Sequence, residues 1–565
     1  MTGVAAPDPT PPPALEAVLA RVRAGAPALV RLPLPDKAAL ARRMRDGMAR
    51  VAGASARAAS RAKGIPEGAP LEGEEWISGP FVTLRLLRQV IESLTALARG
   101  GSTPIGPVQR RADGRFEVQV FPETVRDRLL FPGIRATARL LPGASPEDRA
   151  RFHRAPDHAG RVCLILGAGN VNSIPTTDVV TKIFNEGKAC VLKLSPVNGY
   201  LGPFLEEAFA DAIAAGFLAV VQGGPAEGAW LARHASVDEV HITGADRTHD
   251  LLVWGPPGPE RSARMARGEP LLGKEVTSEL GNVSPVVVVP GPWTDAELAW
   301  QAESVAGMVT HNASFNCNAA KMLITPRGWR RRGELLDRIF GHLRDTPARA
   351  AWYPGAGDRY AQLTAGRAGL RRTEAGPGAL PWTLLPGLDA GDASERAFRT
   401  EPFCSILSEV PVGSDDPVDF LDQAVEFCNR RLWGTLNATL LLPSALEAHP
   451  AVAPALEAAI DRLRYGTVAV NLWPGFSFAL GSTPWGAFPG APLEDVQSGR
   501  GFVHDSRMLE GVEKCVIRGP ARGVVKHPWF PSYRTLGQLG PRLAALEASD
   551  SWTRLPAVLA AGVRG

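Results

Sequence analysis

Short apolar runs punctuate the middle of the chain. VCLIL (162–166), ACVLKL (189–194), LAVV (218–221) and DEVHI (238–242) are separated by stretches of helical spacing at 178–186, 202–215 and 226–234. Buried strands alternating with helices predict βαβ units and a parallel sheet. Right-handed crossovers then place a ligand crevice at the carboxyl ends of the strands. A second α/β series follows: a helix over 295–310, a strand at KMLITP (321–326), a helix over 329–344, and strands at CSILSEV (404–410), NATLLLP (437–443) and TVAVNL (467–472). The stretch 345–397 reads as loop.

Upstream, Leu40, Met44, Met48 and Val51 recur at three- and four-residue steps within 35–101, and Leu84, Leu87, Val90, Ile91 and Leu94 share one face of a helix over 81–98. The segment 116–141 reads as strands and turns, with Val118, Val120 and Leu129 in apolar patches. Residues 1–13 hold five prolines and are predicted to be a mobile tail. A helical patch at 539–548 stands in a C-terminal stretch with no assigned role. No internal repeat is present.

Composition narrows the classes. Of 565 residues 45% are apolar and 21% charged, which excludes a wholly disordered chain. The 59 glycines and 50 prolines show no G-X-Y period and imply many turns. A net charge of +4 without a basic tract argues against nucleic acid or a membrane surface as main partner. No signal-peptide pattern opens the chain, and no apolar run approaches the ~20 residues of a membrane span, so a cytoplasmic location is expected. The six cysteines lie at least 24 residues apart, which excludes a CxxC pair or a zinc knuckle. The ten histidines show no metal-ligand spacing, so no metal is expected.

Three segments carry candidate chemistry. Cys317 stands in THNASFNCNAAKMLITP, between a helix and a strand. A thiolate on this loop is a candidate nucleophile, its pKa lowered by the start of the next element. A small buried hydrophobe is the other reading of a lone cysteine. Glu279, in TSELGNVSPVVVV, precedes the thiol by 38 residues and is a candidate base at a strand end, or else an ordinary loop glutamate. LGAGNVNSIPTTD (166–178) follows a strand and misses G-x-G-x-x-G by one residue, Asn172; its Asn170 has an amide suited to an oxyanion.

Together these segments resemble the aldehyde dehydrogenase superfamily over residues 35–520. Asn170 falls at the family's oxyanion asparagine, Gly187 at the glycine before the next strand and Lys193 at the cofactor-binding lysine. QGGPAEGAWLARHASVDEVHITGA (222–245) is similar to the cofactor turn and helix. Glu279 in ELGNVSP stands at the ELGGK glutamate, Asn312 and Cys317 match N-x-x-x-x-C, and EPFCSIL (401–407) matches E-x-F.

The resemblance implies a fold: a Rossmann-like cofactor domain (14–115 and 162–279), an α/β catalytic domain (280–480), oligomerisation strands (116–161), and a return segment with a C-terminal extension (481–565). It implies oxidation of an aldehyde through a thiohemiacetal and a thioester on Cys317, with Asn170 and the Cys317 N–H holding the oxyanion and Glu279 activating water. It assigns Lys193, Ser195, Gly224, Gly228, Thr243, Gly244, Glu401 and Phe403 to NAD or NADP, with amides of the helix near Pro225 aimed at the pyrophosphate. A homodimer or homotetramer is implied.

Departures qualify these roles. Gly169 replaces a tryptophan beside Asn170 and is expected to open the site. Ser314-Phe315 replaces G-Q, with Phe315 expected to reshape the aldehyde tunnel. ELGGK is ELGNV here, and Cys404 stands in an E-x-F-G-P position. Pro196 replaces a ribose-binding glutamate, which permits NADP and tilts the reading towards it. Trp473, Phe476, Phe478 and Trp485 form either a substrate entrance or a surface cluster. Two rival functions stay open: a CoA-acylating dehydrogenase or acyl-thioester reductase, against which Glu279 argues, and a silent structural or binding member.

Overall fold

A computed structural model describes residues 7–549 and 551–565. Each predicted strand of the centre forms, because four to six consecutive apolar residues can be buried on both faces only inside a parallel sheet. The first sheet has six strands in the order Gly499–Arg500, Glu275–Leu280, Glu239–Gly244, Val162–Leu166, Ala189–Lys193 and Leu218–Val221. All are parallel except Gly499–Arg500. From the 162–166 strand the chain winds outwards through 189–193 and 218–221, then returns to the other side at 239–244. That reversal between neighbouring strands makes a crevice at their carboxyl ends, where Lys193, Thr243, Gly244 and Glu279 lie.

The second sheet has eleven strands in the order Val108–Arg110, Phe116–Phe121, Arg135–Leu140, Val512–Arg518, Thr467–Val470, Asn437–Leu441, Pro285–Val288, Met322–Pro326, Ile406–Val412, Thr383–Leu385 and Arg371–Arg372. The strands expected as an oligomerisation element are thus an edge of this sheet, joined through Arg135–Leu140 to Val512–Arg518. The segment between Phe121 and Arg135 is the helix Val125–Leu130, not strand. Thr124 caps it by accepting from the Asp127 N–H, the reciprocal box that T-x-x-D signals. Residues 481–565 stitch both sheets, with Gly499–Arg500 in the first and Val512–Arg518 in the second.

At the amino end, residues 1–6 lie outside the described residues. The rest of the expected tail is docked: Thr10 N–H donates to the Gln222 carbonyl at 3.1 Å and its Oγ accepts from the Gln222 N–H at 3.0 Å, and a helix runs from Pro12 to Arg31. Proline at its first turn fits because that turn needs no N–H partner. The predicted 202–215 helix breaks at Phe209 into Gly202–Ala208 and Ala210–Ala214. The stretch read as loop carries the helix Ala356–Thr364. The C-terminal extension forms the helix Leu536–Glu547, packed against Gly73 and Trp76.

Candidate active site

Cys317 follows the helix Asp295–Thr310, whose Thr294 and Glu297 form a capping box. Between helix and thiol the chain makes a left-handed turn, with φ of 54° at Asn312, 54° at Ala313 and 70° at Ser314. Such non-glycine backbone costs about 1–3 kcal/mol per residue and persists only where surroundings enforce it. Asn312 supplies the enforcement. Its amide donates to the Asn170 carbonyl at 2.9 Å and the Phe315 carbonyl at 3.1 Å, its Oδ1 accepts from Lys63 at 3.0 Å, and its N–H donates to Glu74 at 3.2 Å. Lys63, itself buried, pairs with Glu75 at 2.9 Å and donates to the Asn170 carbonyl at 3.2 Å. The asparagine of N-x-x-x-x-C is therefore the knot that ties the Cys317 loop to the Asn170 loop.

Three predicted catalytic residues meet. Cys317 and Asn170 line both cavities that flank the thiol, and Glu279 lines one of them. The half-buried Cys317 thiol and the Glu279 carboxyl line the same cavity and lie close enough for each to shift the other. Burial raises the Glu279 pKa to about 8, with Asp178 and Glu401 adding to the rise, while Cys317 and Lys321 pull against it. Its Oε1 is buried without a partner. The Cys317 thiol does not have the lowered pKa expected: burial, and then the Glu279 charge, push it up. Asn170 Nδ2 donates to the Phe315 carbonyl at 3.0 Å, which fixes the amide while leaving one N–H to serve a ligand.

The departures have structural accounts. Gly169 does not open the site, because a Cβ there would lie 2.6 Å from Ser195 Oγ and 2.8 Å from Val197 Cβ. Phe315 does not line the apolar cavity beside Cys317; it is buried among Trp352, Tyr353 and Phe403, at ring distances of 5.0, 5.6 and 5.9 Å. Asn282 donates its N–H to Glu401 at 3.2 Å and its amide to the Asn437 carbonyl at 2.8 Å. Lys321, four residues past the thiol, bonds the Cys317 carbonyl at 2.7 Å, the Asn282 carbonyl at 2.8 Å and Glu401. Cys404 is a packing thiol, raised to about 12 by burial.

The proposed cofactor residues line a continuous furrow of two cavities, about 210 and 460 Å³, which share Ala168, Thr243, Gly244, Ala245 and Tyr353. Glu401 and Phe403 line the cavity at Cys317; Lys193, Ser195, Gly224 and Gly228 line the other. Phe403 has φ 40°, and Arg359 holds it by donating to its carbonyl at 3.2 Å. Lys193 donates to the Gly223 carbonyl at 2.8 Å, and burial lowers its pKa to about 8, with Glu227 opposing. The helix Pro225–Arg233 begins as expected, but Glu227 takes the Gly224 N–H at 2.6 Å. The Thr243 hydroxyl is already engaged, donating to Asp178 at 3.0 Å. Arg233, Arg247, Arg399 and Trp433 also line the furrow, with nothing in the local sequence to mark them.

On the other side of Cys317 lies an apolar cavity of about 100 Å³. Trp473, Phe476 and Phe478 line it, so the aromatic cluster faces the thiol and not solvent; Trp485 is buried behind, 5.7 Å from the Phe478 ring. His311 and Glu74 reach this cavity already engaged. The His311 ring meets Asn316 at 3.1 Å and packs 4.9 Å from the Trp473 ring, and Glu74 pairs with Arg349 at 2.6 Å. Among the described residues no cluster could hold a metal ion, and no helix is long and apolar enough to cross a membrane.

No protein-family model matches the chain, and no curated protein matches it in sequence. Solved structures match along most of its length. An NAD-dependent aldehyde dehydrogenase from Sinorhizobium meliloti is 19% identical, covering 92% of this chain and 87% of its own, at a TM-score of 0.55. An NADP-dependent glyceraldehyde-3-phosphate dehydrogenase from Bacillus halodurans, solved with NADP, is 16% identical over 89% and 91%, at 0.58. A mutant of aldehyde dehydrogenase C from Pseudomonas syringae, solved with NAD+ and octanal, is 18% identical over 91% and 89%, at 0.58. At this coverage and these TM-scores the chain has the aldehyde dehydrogenase fold.

Proposed function

We propose that the protein oxidises an aldehyde to a carboxylic acid with NAD or NADP. The observation that carries the reading is that Cys317, Glu279 and Asn170 line one cavity where a long furrow meets an apolar one. The furrow suits a dinucleotide. Five basic side chains (Lys193, Arg233, Arg247, Arg359 and Arg399) and three acidic ones (Asp246, Glu279 and Glu401) line it, a surplus that favours phosphates.

In this scheme Cys317 gives its proton to solvent and reacts as the thiolate, and Glu279 is kept for the hydrolytic step. The sulfur then bonds the aldehyde carbon, and Asn170 Nδ2 with the Cys317 N–H meets the oxyanion. NAD(P), which Lys193, Ser195, Glu401 and Phe403 would hold in the furrow, would supply the hydride acceptor that leaves a thioester on Cys317. Glu279 next deprotonates water, which attacks the thioester carbon and releases the acid and the thiol. Lys321 holds the Cys317 carbonyl and Glu401 together, so the nucleophile and the cofactor-side carboxylate keep one geometry.

Among the described residues no acidic side chain lines the distal cavity, while Arg233, Lys193 and Ser195 do, which supports NADP over NAD. Glu279 supports water over CoA as the acyl acceptor. The exposed Val108–Arg110 edge strand suits association with a second copy, as a dimer or tetramer. The six unpaired cysteines suit a reducing, cytoplasmic compartment.

The test is reduction of NAD or NADP with an aldehyde panel, with and without CoA. Signal without CoA is expected. Signal only with CoA would mean an acylating enzyme; no signal with any aldehyde and no cofactor-induced thermal shift would mean a silent member.

A further inference from the structure

One wall of the apolar cavity at Cys317 comes from the far end of the chain. Pro528, Trp529, Leu536 and Leu543, from the C-terminal extension, line it together with Phe81 and Phe131. Trp529 packs on the cavity's own aromatics, with ring centroids 5.7 Å from Trp473 and 6.0 Å from Phe476. These four residues are buried or half-buried, so the extension forms a packed wall of the cavity.

The wall is built to stay in place. Trp529 donates its indole N–H to Ser304 at 3.3 Å and stacks on His527 at 4.3 Å. Two glycines let its backbone come close: a Cβ on Gly307 would lie 2.1 Å from the Trp529 carbonyl oxygen, and one on Gly73 2.2 Å from that of Leu536. At the far end of the helix, Glu547 is fully buried between Arg85 at 3.0 Å, Arg88 at 2.5 Å and Arg126 at 3.1 Å. Burial alone would raise the Glu547 carboxyl, but the three arginines outweigh it and hold it at about 2. Of the polar groups that line the cavity, His311, Glu74 and Ser78 are engaged by Asn316, Arg349 and the Glu74 carbonyl, and apart from Asn170, Asn316, Cys317 and Asn318 the rest of the lining is apolar, so the space suits an apolar body.

We infer that the extension, through Trp529, Leu536 and Leu543, is the specificity wall of the site and restricts it to short aliphatic aldehydes. The inference rests on the proposed aldehyde oxidation for its substrate and on geometry for its wall. The cavity's volume, about 100 Å³, is below the ~150 Å³ of an apolar cavity that accepts benzene. A chain that fits gains ~0.8 kcal/mol per buried methylene, about fourfold in kcat/KM, until the wall is met. Beyond that point each methylene must displace packed protein, and kcat/KM falls.

Two measurements on the full-length protein test this. In the first, kcat/KM is compared from propanal to octanal. The wild type is expected to favour the short members, and Trp529→Ala and Leu543→Ala to raise the octanal-to-propanal ratio at least tenfold with KM for the cofactor unchanged. In the second, the rate at which n-alkyl methanethiosulfonates modify Cys317 is followed by mass spectrometry, which needs no turnover. The same variants are expected to speed the octyl reagent relative to the methyl one. Leu543→Ala carries the test if Trp529→Ala does not fold. A wild type that accepts octyl and methyl groups equally, or variants that leave both ratios unchanged, would overturn the wall. A shifted labelling ratio in a protein that oxidises no aldehyde would keep the wall and discard the aldehyde reading.

Discussion

The two faces of Cys317 are built in different ways. Most of the proposed cofactor face comes from one continuous stretch, 166–281, at the carboxyl ends of a parallel sheet, and charged side chains such as Lys193, Arg233 and Arg247 line it. The proposed aldehyde face is gathered from the helical segment 74–82, Phe131, the loops at 170 and 311, the aromatic segment 473–478 and the extension at 528–543, and it is mostly apolar. Topology dictates the first, since any chain that winds outwards and returns leaves that crevice. The second depends on which remote segments happen to pack there. One fold can therefore keep its cofactor furrow while its substrate cavity is remade by a terminal segment.

The largest effect is expected from the residue both faces share. Cys317→Ala should abolish turnover and leave the cofactor-induced thermal shift intact; residual turnover would remove Cys317 as nucleophile. Next comes the aldehyde face alone. Glu547→Gln leaves three arginines without their buried carboxylate, a loss on the order of 3–5 kcal/mol, read by denaturant unfolding, with cofactor affinity preserved. Because the folded Glu547 carboxyl sits at about 2, below its ordinary value of about 4.3, its contribution is present above that value. It is lost as pH falls from about 4 towards 2, so the wild type should lose more stability than the variant over that window.

Asn170→Ala, at the junction, should lower kcat by about 10²–10³, in a steady-state assay. The base should show in the pH profile: Glu279 ionises near pH 8, so kcat should rise with pH and level off above it. The smallest effect belongs to the cofactor face. Arg233 is exposed, and Arg233→Ala should raise KM for NADP about tenfold while leaving NAD nearly unchanged, in keeping with a charged hydrogen bond of ~1.5 kcal/mol.

The contrast also decides what the sequence could disclose. Strands such as Val162–Leu166 and Leu218–Val221 are written locally, as apolar runs between helical stretches, and their carboxyl ends bring Lys193, Gly244 and Glu279 together by topology. Cys317, Glu279 and Asn170 were legible because their neighbours follow a spaced pattern. Lys321 had a signal, four residues beyond the thiol, but its partners Glu401 and Asn282 are distant in sequence. The thiol's raised pKa was not legible, because burial and a carboxyl 38 residues away override anything the loop dictates. Gly169 and Phe315 misled for the same reason: the space each was expected to change is filled by Ser195, Val197 and Trp352. Phe131 and Trp529 carry no local mark of the cavity they line.

The central claim is that Cys317 carries the acyl group and Glu279 releases it. Glu279→Gln, mixed with NADP and propanal and examined by mass spectrometry, should accumulate the propanoyl thioester on the Cys317 peptide after one equivalent of cofactor is reduced. Steady turnover in that variant with no adduct on Cys317 would contradict the account.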